Sequence, residues 1–143
     1  MKRQLLIAVT ALLAFAGCTA KTQPSLPTQG ASAPLEGVRW QLTGFSDHAV
    51  TVPQKAWMRL EKGRYVGFAG CNGLSGSYKL DGNKISFTMD PSTMPACPDM
   101  KGETLFRKRL LESDRFKIGS GMLKLYGGKK VLLVFLPRES EEK

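Results

Sequence analysis

This sequence is poor in the residues that do chemistry. It holds one histidine and three cysteines in 143 residues, with no Cys-x-x-Cys pair, so a metal site lacks ligands. The lone His48 lies in Ser46-Asp47-His48, which reads as a loop. Sequence neighbours cannot adopt the relay geometry of a catalytic triad, so His48 reads as an exposed loop residue. No constellation of paired carboxylates is evident. The glycine row Gly67, Gly70, Gly73, Gly76 lacks the Lys-Ser/Thr ending of a phosphate loop, and no helix follows it. Negative charge is short as well, with 12 acidic residues against 21 basic ones. The apolar run near the start is about a dozen residues, whereas a membrane-spanning helix needs roughly 20. These gaps leave an enzyme the least supported class and point to no cofactor.

What is present begins with Cys18. Lys2 and Arg3 precede the apolar run, and Ala16-Gly17-Cys18 closes it. That is the layout of a secretory signal. The cysteine at the cut resembles a bacterial lipobox, with Phe15 in place of the usual leucine, and the resemblance implies acylation of the Cys18 thiol. Two or more acyl chains anchor a protein stably without a spanning helix. Residues 1–17 are thus expected to be a lipoprotein signal peptide, and Thr19 after the cysteine resembles an outer-membrane sorting signal. The expected location is the cell envelope, at the periplasmic face of the outer membrane. Residues 18–34 carry Pro24, Pro27 and Pro34 among Ser, Thr and Gln. Such a stretch cannot bury enough surface to fold and reads as a flexible tether.

Loss of Lys2 and Arg3 with the signal leaves 19 basic against 12 acidic residues, a formal +7. A positive surface attracts anionic lipid head groups, anionic polysaccharide or acidic proteins, while nucleic acid is a poor fit for an exported protein. Arg107-Lys108-Arg109 is a compact basic run, but three consecutive helical residues point three ways, so it reads as solvated surface. Cys71 and Cys97 are an even pair in an oxidising compartment, and a disulfide is the economical reading. Closing a loop of about 27 residues is worth roughly 3–4 kcal/mol.

Residues 35–138 read as one small domain, with an acidic, frayed tail over 139–143. Val38, Trp40 and Leu42 alternate with polar neighbours, the period of a half-buried strand. Further short strands are expected at 57–60, 64–70, 77–80, 85–88, 115–118, 122–126 and 130–136. Asp81-Gly82-Asn83-Lys84 reads as a hairpin turn in which Gly and Asn supply positive φ. Asp99 is an expected N-cap for a helix from Met100 to about Ser113, with Leu105, Phe106, Leu110 and Leu111 as its apolar surface and Gly102 weakening its first turn. The apolar run Val131–Leu136 suggests a strand buried on both faces, stopped by Pro137. The expected fold class is mainly β with one helix (α+β): a small antiparallel, partly open (cracked) β-barrel with an inserted α-helix.

Gly67-Phe68-Ala69-Gly70-Cys71-Asn72-Gly73, followed by Gly76-Ser77-Tyr78, resembles the signature of the META domain family, the HslJ-like bacterial lipoproteins. Thr93-Met94-Pro95-Ala96-Cys97-Pro98, the helix from Glu103 through Phe106 and Leu110, and Trp40-Gln41-Leu42 match further elements, with Pro95 a departure. The resemblance covers about residues 35 to 137. It implies a cracked barrel with an inserted helix and a Cys71–Cys97 disulfide. It implies no catalytic residues, only loose links to envelope stress, motility and virulence. The expected function is a non-enzymatic envelope lipoprotein with a protein-binding or assembly-supporting role. Asn72, Pro95, Ala96 and Pro98 form the candidate binding loops. Asn72 itself reads as an Asx-type turn or a left-handed position. Two alternatives are a carrier of a lipid or other hydrophobic ligand, which needs an apolar cavity between barrel and helix, and a periplasmic hydrolase inhibitor.

Overall fold

A computed structural model describes residues 34–46, 49–93, 95 and 97–138. The signal, Cys18, the tether, His48, Ala96 and the acidic tail lie outside the described residues. The elements are β1 (Arg39–Phe45), β2 (Trp57–Glu61), β3 (Arg64–Phe68), β4 (Gly73–Asp81), β5 (Lys84–Met89), α1 (Lys101–Leu111), β6 (Arg115–Gly119), β7 (Met122–Gly127) and β8 (Lys130–Arg138).

The strands pair antiparallel in chain order, and the first also pairs with the last, so the sheet is a closed barrel. This overturns the expected partly open barrel. The closing seam runs from Arg39 opposite Arg138 to Phe45 opposite Leu133, with a bulge between Leu42 and Gly44. Thr43 Oγ1 adds a bond to Val134 O at 3.1 Å, 91 residues on. Local sequence pattern reports that strands exist, not that the two ends of a chain meet, which is why closure had no signal. The thinnest seam is β5 with β6, registered at Lys84 opposite Arg115. Ile85 N to Asp114 O (3.0 Å) and Phe116 N to Asn83 O (2.9 Å) reinforce it. Here α1 is inserted between the two strands.

Strand alternation sends Trp40, Leu42, Met58, Leu60, Tyr65, Leu74, Tyr78, Ile85, Phe87, Leu123, Leu125, Leu133 and Phe135 inward, all buried. Phe106 and Leu110 of α1 are fully buried against them. The Phe106 and Phe135 rings lie 5.9 Å apart at a tilt, a favourable aromatic arrangement. The helix therefore plugs one end of the barrel, and aromatic and aliphatic side chains fill the interior.

Several local expectations shift. The helix runs Lys101–Leu111 with Met100 at its N-cap. Asp99, one residue earlier, still accepts the Lys101 N–H at 3.1 Å. Leu111 is 49% exposed rather than part of the apolar face. Strand β4 begins at Gly73, four residues before its expected start, so the glycine row is partly strand. A Cβ at Gly76 would overlap Thr88 O and the Tyr65 ring. This is a close approach that glycine alone permits. Gly102 is likewise needed: a Cβ there would sit 2.7 Å from Thr51 O and from Pro53. The absent side chain lets the loop before β2 lie on the helix. In the β4–β5 turn Gly82 has positive φ and Asn83 does not. Strand β8 continues through Pro137 to Arg138. Its exposed Leu136 shows that its apolar run is not buried on both faces throughout.

Candidate functional site

The polar centre of the molecule forms where α1 meets the β3–β4 turn. Ala69 N donates to Asn72 O at 2.8 Å, folding residues 69–72 into a tight bend. The bend aims the N–H groups of Cys71 and Asn72 at the helix, where Glu103 Oε2 accepts both, at 3.0 and 2.9 Å. Glu103 Oε1 accepts Asn72 Nδ2 at 3.0 Å and Arg107 Nε at 3.1 Å. Asn72 Nδ2 also reaches Pro95 O at 3.3 Å, tying in the segment before the helix. Arg107 Nη2 donates to Gly73 O at 2.7 Å. Glu103, Asn72 and Arg107 are all buried.

Burial alone raises the Glu103 carboxyl pKa. The bonds from the Asn72 and Cys71 N–H groups, the Asn72 amide and Arg107 outweigh it and hold the carboxyl below its ordinary value. Both oxygens are occupied by four donors, so Glu103 is a fixed anion and not an available base. Tyr65, a buried hydroxyl of the core, is pushed up to about 12, chiefly by burial, and stays neutral. Among the described residues no group of three or more His, Cys, Asp or Glu is placed to hold a metal ion.

Cys71 and Cys97 lie at disulfide distance, Cα–Cα 6.6 Å, inside the range that a disulfide permits. Pro95 and Pro98 are exposed on the same side, and Ala96 lies outside the described residues. A groove of about 600 Å³ runs along the outer face of α1, between Val50, Pro98, Met100, Thr104, Leu105 and Lys108. The structure therefore brings Asn72, Pro95 and the two cysteines together. It corrects the reading of Asn72, which has no positive φ and uses its side chain as a buried link between three segments. It also corrects the basic run. Lys108 is exposed, but Arg107 is buried and paired with Glu103. The missed signal was local: Glu103 stands four residues before Arg107, the favourable spacing and order for a helical ion pair.

Fold and site together define a small closed β-barrel plugged by one helix, whose polar centre braces the β3–β4 turn against the helix. Residues 33–140 match the META domain, and the chain belongs to that family. Among curated proteins none matches it. Two solved structures share the fold. One is a protein from Burkholderia xenovorans, 23% identical with a TM-score of 0.60, covering 81% of this chain and 99% of that one. The other is a DUF4847 family protein from Bacteroides vulgatus, 19% identical with a TM-score of 0.50, covering 57% of this chain and 58% of that one. The match thus spans little more than half of the second protein's length. Among the described residues no helix is long and apolar enough to cross a membrane.

Proposed function

We propose that the protein is a non-enzymatic envelope lipoprotein, held to the outer membrane by acylated Cys18. Its META domain presents pre-ordered loops to a protein partner in envelope assembly or integrity. The observation that carries this reading is the clamp on the loops. Glu103 and Asn72 fix the β3–β4 turn to the segment around Pro95. Cys71 and Cys97 stand ready to link the same two segments as a disulfide. A surface ordered before it meets a partner loses little entropy on binding. The groove beside Pro98 and Leu105 adds apolar contact area next to these loops. The carrier reading is weakened, because Trp40, Tyr65, Phe106, Phe135 and Met58 occupy the barrel interior where a ligand would lie.

A photo-crosslinking residue placed at Pro98 in intact cells, with controls at the exposed Lys79 of β4 and Lys117 of β6, tests the reading. A discrete protein adduct at position 98 and none at the controls supports it. Adducts confined to the controls overturn it. Lipid labelling of wild type and of Cys18→Ser tests the anchor separately, with loss of label in the variant expected.

A further inference from the structure

The outer wall of the barrel carries a feature that the loop surface does not use. Arg39 on β1 lies in register with Arg59 on β2 and with Arg138 on β8. Residues directly opposite across strands lie about 4.5–5.5 Å apart, and like charges there repel. Three neighbouring strands thus carry three arginines in one row. Trp40, Met58 and Leu60 beside them point inward and are buried, so Arg39 and Arg59 point out. Ion pairs among the described residues engage Arg64, Arg107, Lys108, Arg109 and Arg115, and none engages these three. Of the nearby carboxylates, Glu36 accepts the Tyr78 hydroxyl, and Glu61, two residues along β2 from Arg59 on the same outer face, forms no ion pair with the row.

The next outward row, two residues along, is mostly apolar. Leu136 and Trp57 both register with Gln41, and Trp57 registers with Phe68. Leu136 is 44% exposed, and Val66, opposite Arg59, is 45% exposed. The Arg39 guanidinium stacks 4.3 Å above the Trp57 ring. A patch of guanidiniums beside partly exposed Trp and aliphatic side chains suits an interface where phosphates and hydrocarbon meet. Its position agrees. The described chain starts at Pro34, and Gly37 N bonds Leu60 O at 2.9 Å, beside Arg59. The tether therefore joins the domain at this patch, at the end away from α1.

We infer that the Arg39–Arg59–Arg138 row, with Trp57 and Leu136, docks the domain on the anionic head groups of a phospholipid surface. The membrane's nearness rests on the lipid-anchored reading, but the surface chemistry does not, and the two fail separately. The probe is the mature chain from Cys18 to Lys143 made without its leader and carrying Cys18→Ser, floated with phosphatidylcholine vesicles with and without phosphatidylglycerol. Binding is expected with phosphatidylglycerol alone, to weaken as salt rises, and to shift Trp57 emission to the blue. Each arginine near an anionic surface is worth about fivefold in affinity, so Arg39→Gln, Arg59→Gln and Arg138→Gln together should lose roughly 100-fold. Removing three exposed lysines elsewhere (Lys55, Lys79 and Lys129, each to Gln) should cost far less. If the triple variant folds poorly, the Trp57 shift in the unaltered arginine background decides. Equal losses for both triple variants, no binding to anionic vesicles, or binding to soluble heparin without vesicle binding would each overturn the inference. Absence of lipid label on the wild-type protein, with vesicle binding intact, would instead overturn the anchor.

Discussion

The two ends of this barrel treat charge in opposite ways. At the helix end, Glu103 and Arg107 are buried, paired and fully engaged with Asn72, Cys71 and Gly73. At the tether end, Arg39, Arg59 and Arg138 are set side by side, with no carboxylate partner among the described residues. A buried pair costs desolvation and survives because its neighbours complete it. A like-charged row on the surface costs repulsion, which the Arg39 stack on Trp57 offsets only in part. The first arrangement belongs to the architecture, and the second is the one we propose faces a membrane.

Substitution should break this contrast most strongly at Glu103. Glu103→Ala leaves Arg107 buried without its partner and two N–H groups without an acceptor. We expect a loss of about 3–5 kcal/mol in urea unfolding. A loss under about 1 kcal/mol would show that the brace is not structural. Cys71→Ala should cost roughly 3–4 kcal/mol through the released loop. Intact mass before and after alkylation checks its premise, and two free thiols in envelope-derived protein would refute the disulfide.

Acid sharpens the same comparison. The folded Glu103 pKa lies below its unfolded value, so between the two the unfolded chain binds more protons. Its stabilising contribution is therefore complete above the ordinary carboxylate pKa and is lost as pH falls through the depressed one. Urea midpoints measured across that acid range should fall for wild type and change less for Glu103→Gln. Parallel curves would contradict the assignment. The smallest effects belong to exposed charge. Arg64→Gln removes a solvent-facing pair with Asp90 and should leave the melting temperature unchanged within error. The arginine-row triple variant should melt close to wild type, since relieved repulsion offsets the lost Arg39–Trp57 stack. A clear drop would make the row structural.

Much of the fold was legible because it is written locally. Trp40 and Leu42, or Leu123 and Leu125, announce strands by alternation, and the glycines at 82, 121 and 128 mark turns. The Cys71 and Cys97 pair stood out by count. Closure was not legible, because no residue in β1 carries information about β8. The brace was half legible. Asn72 was marked by its motif, but its partner lies on another element, and Arg107 was hidden in a basic run beside the exposed Lys108. The arginine row was illegible for the same reason as closure: its members are 20 and 79 residues apart in sequence, and only the barrel register lines them up.

The seam between β1 and β8 also sets a timetable. Until Lys130–Arg138 has emerged, β1 has an open edge where its last partner belongs, and Phe45, Leu42 and Trp40 lack part of their cover. Pairing across so long a separation is slow, because loop closure precedes its reward. An unfinished chain is in that interval a sticky half-cylinder, and a truncation before residue 130 would leave it so permanently. The last strand works less as an ornament of the sheet than as its latch.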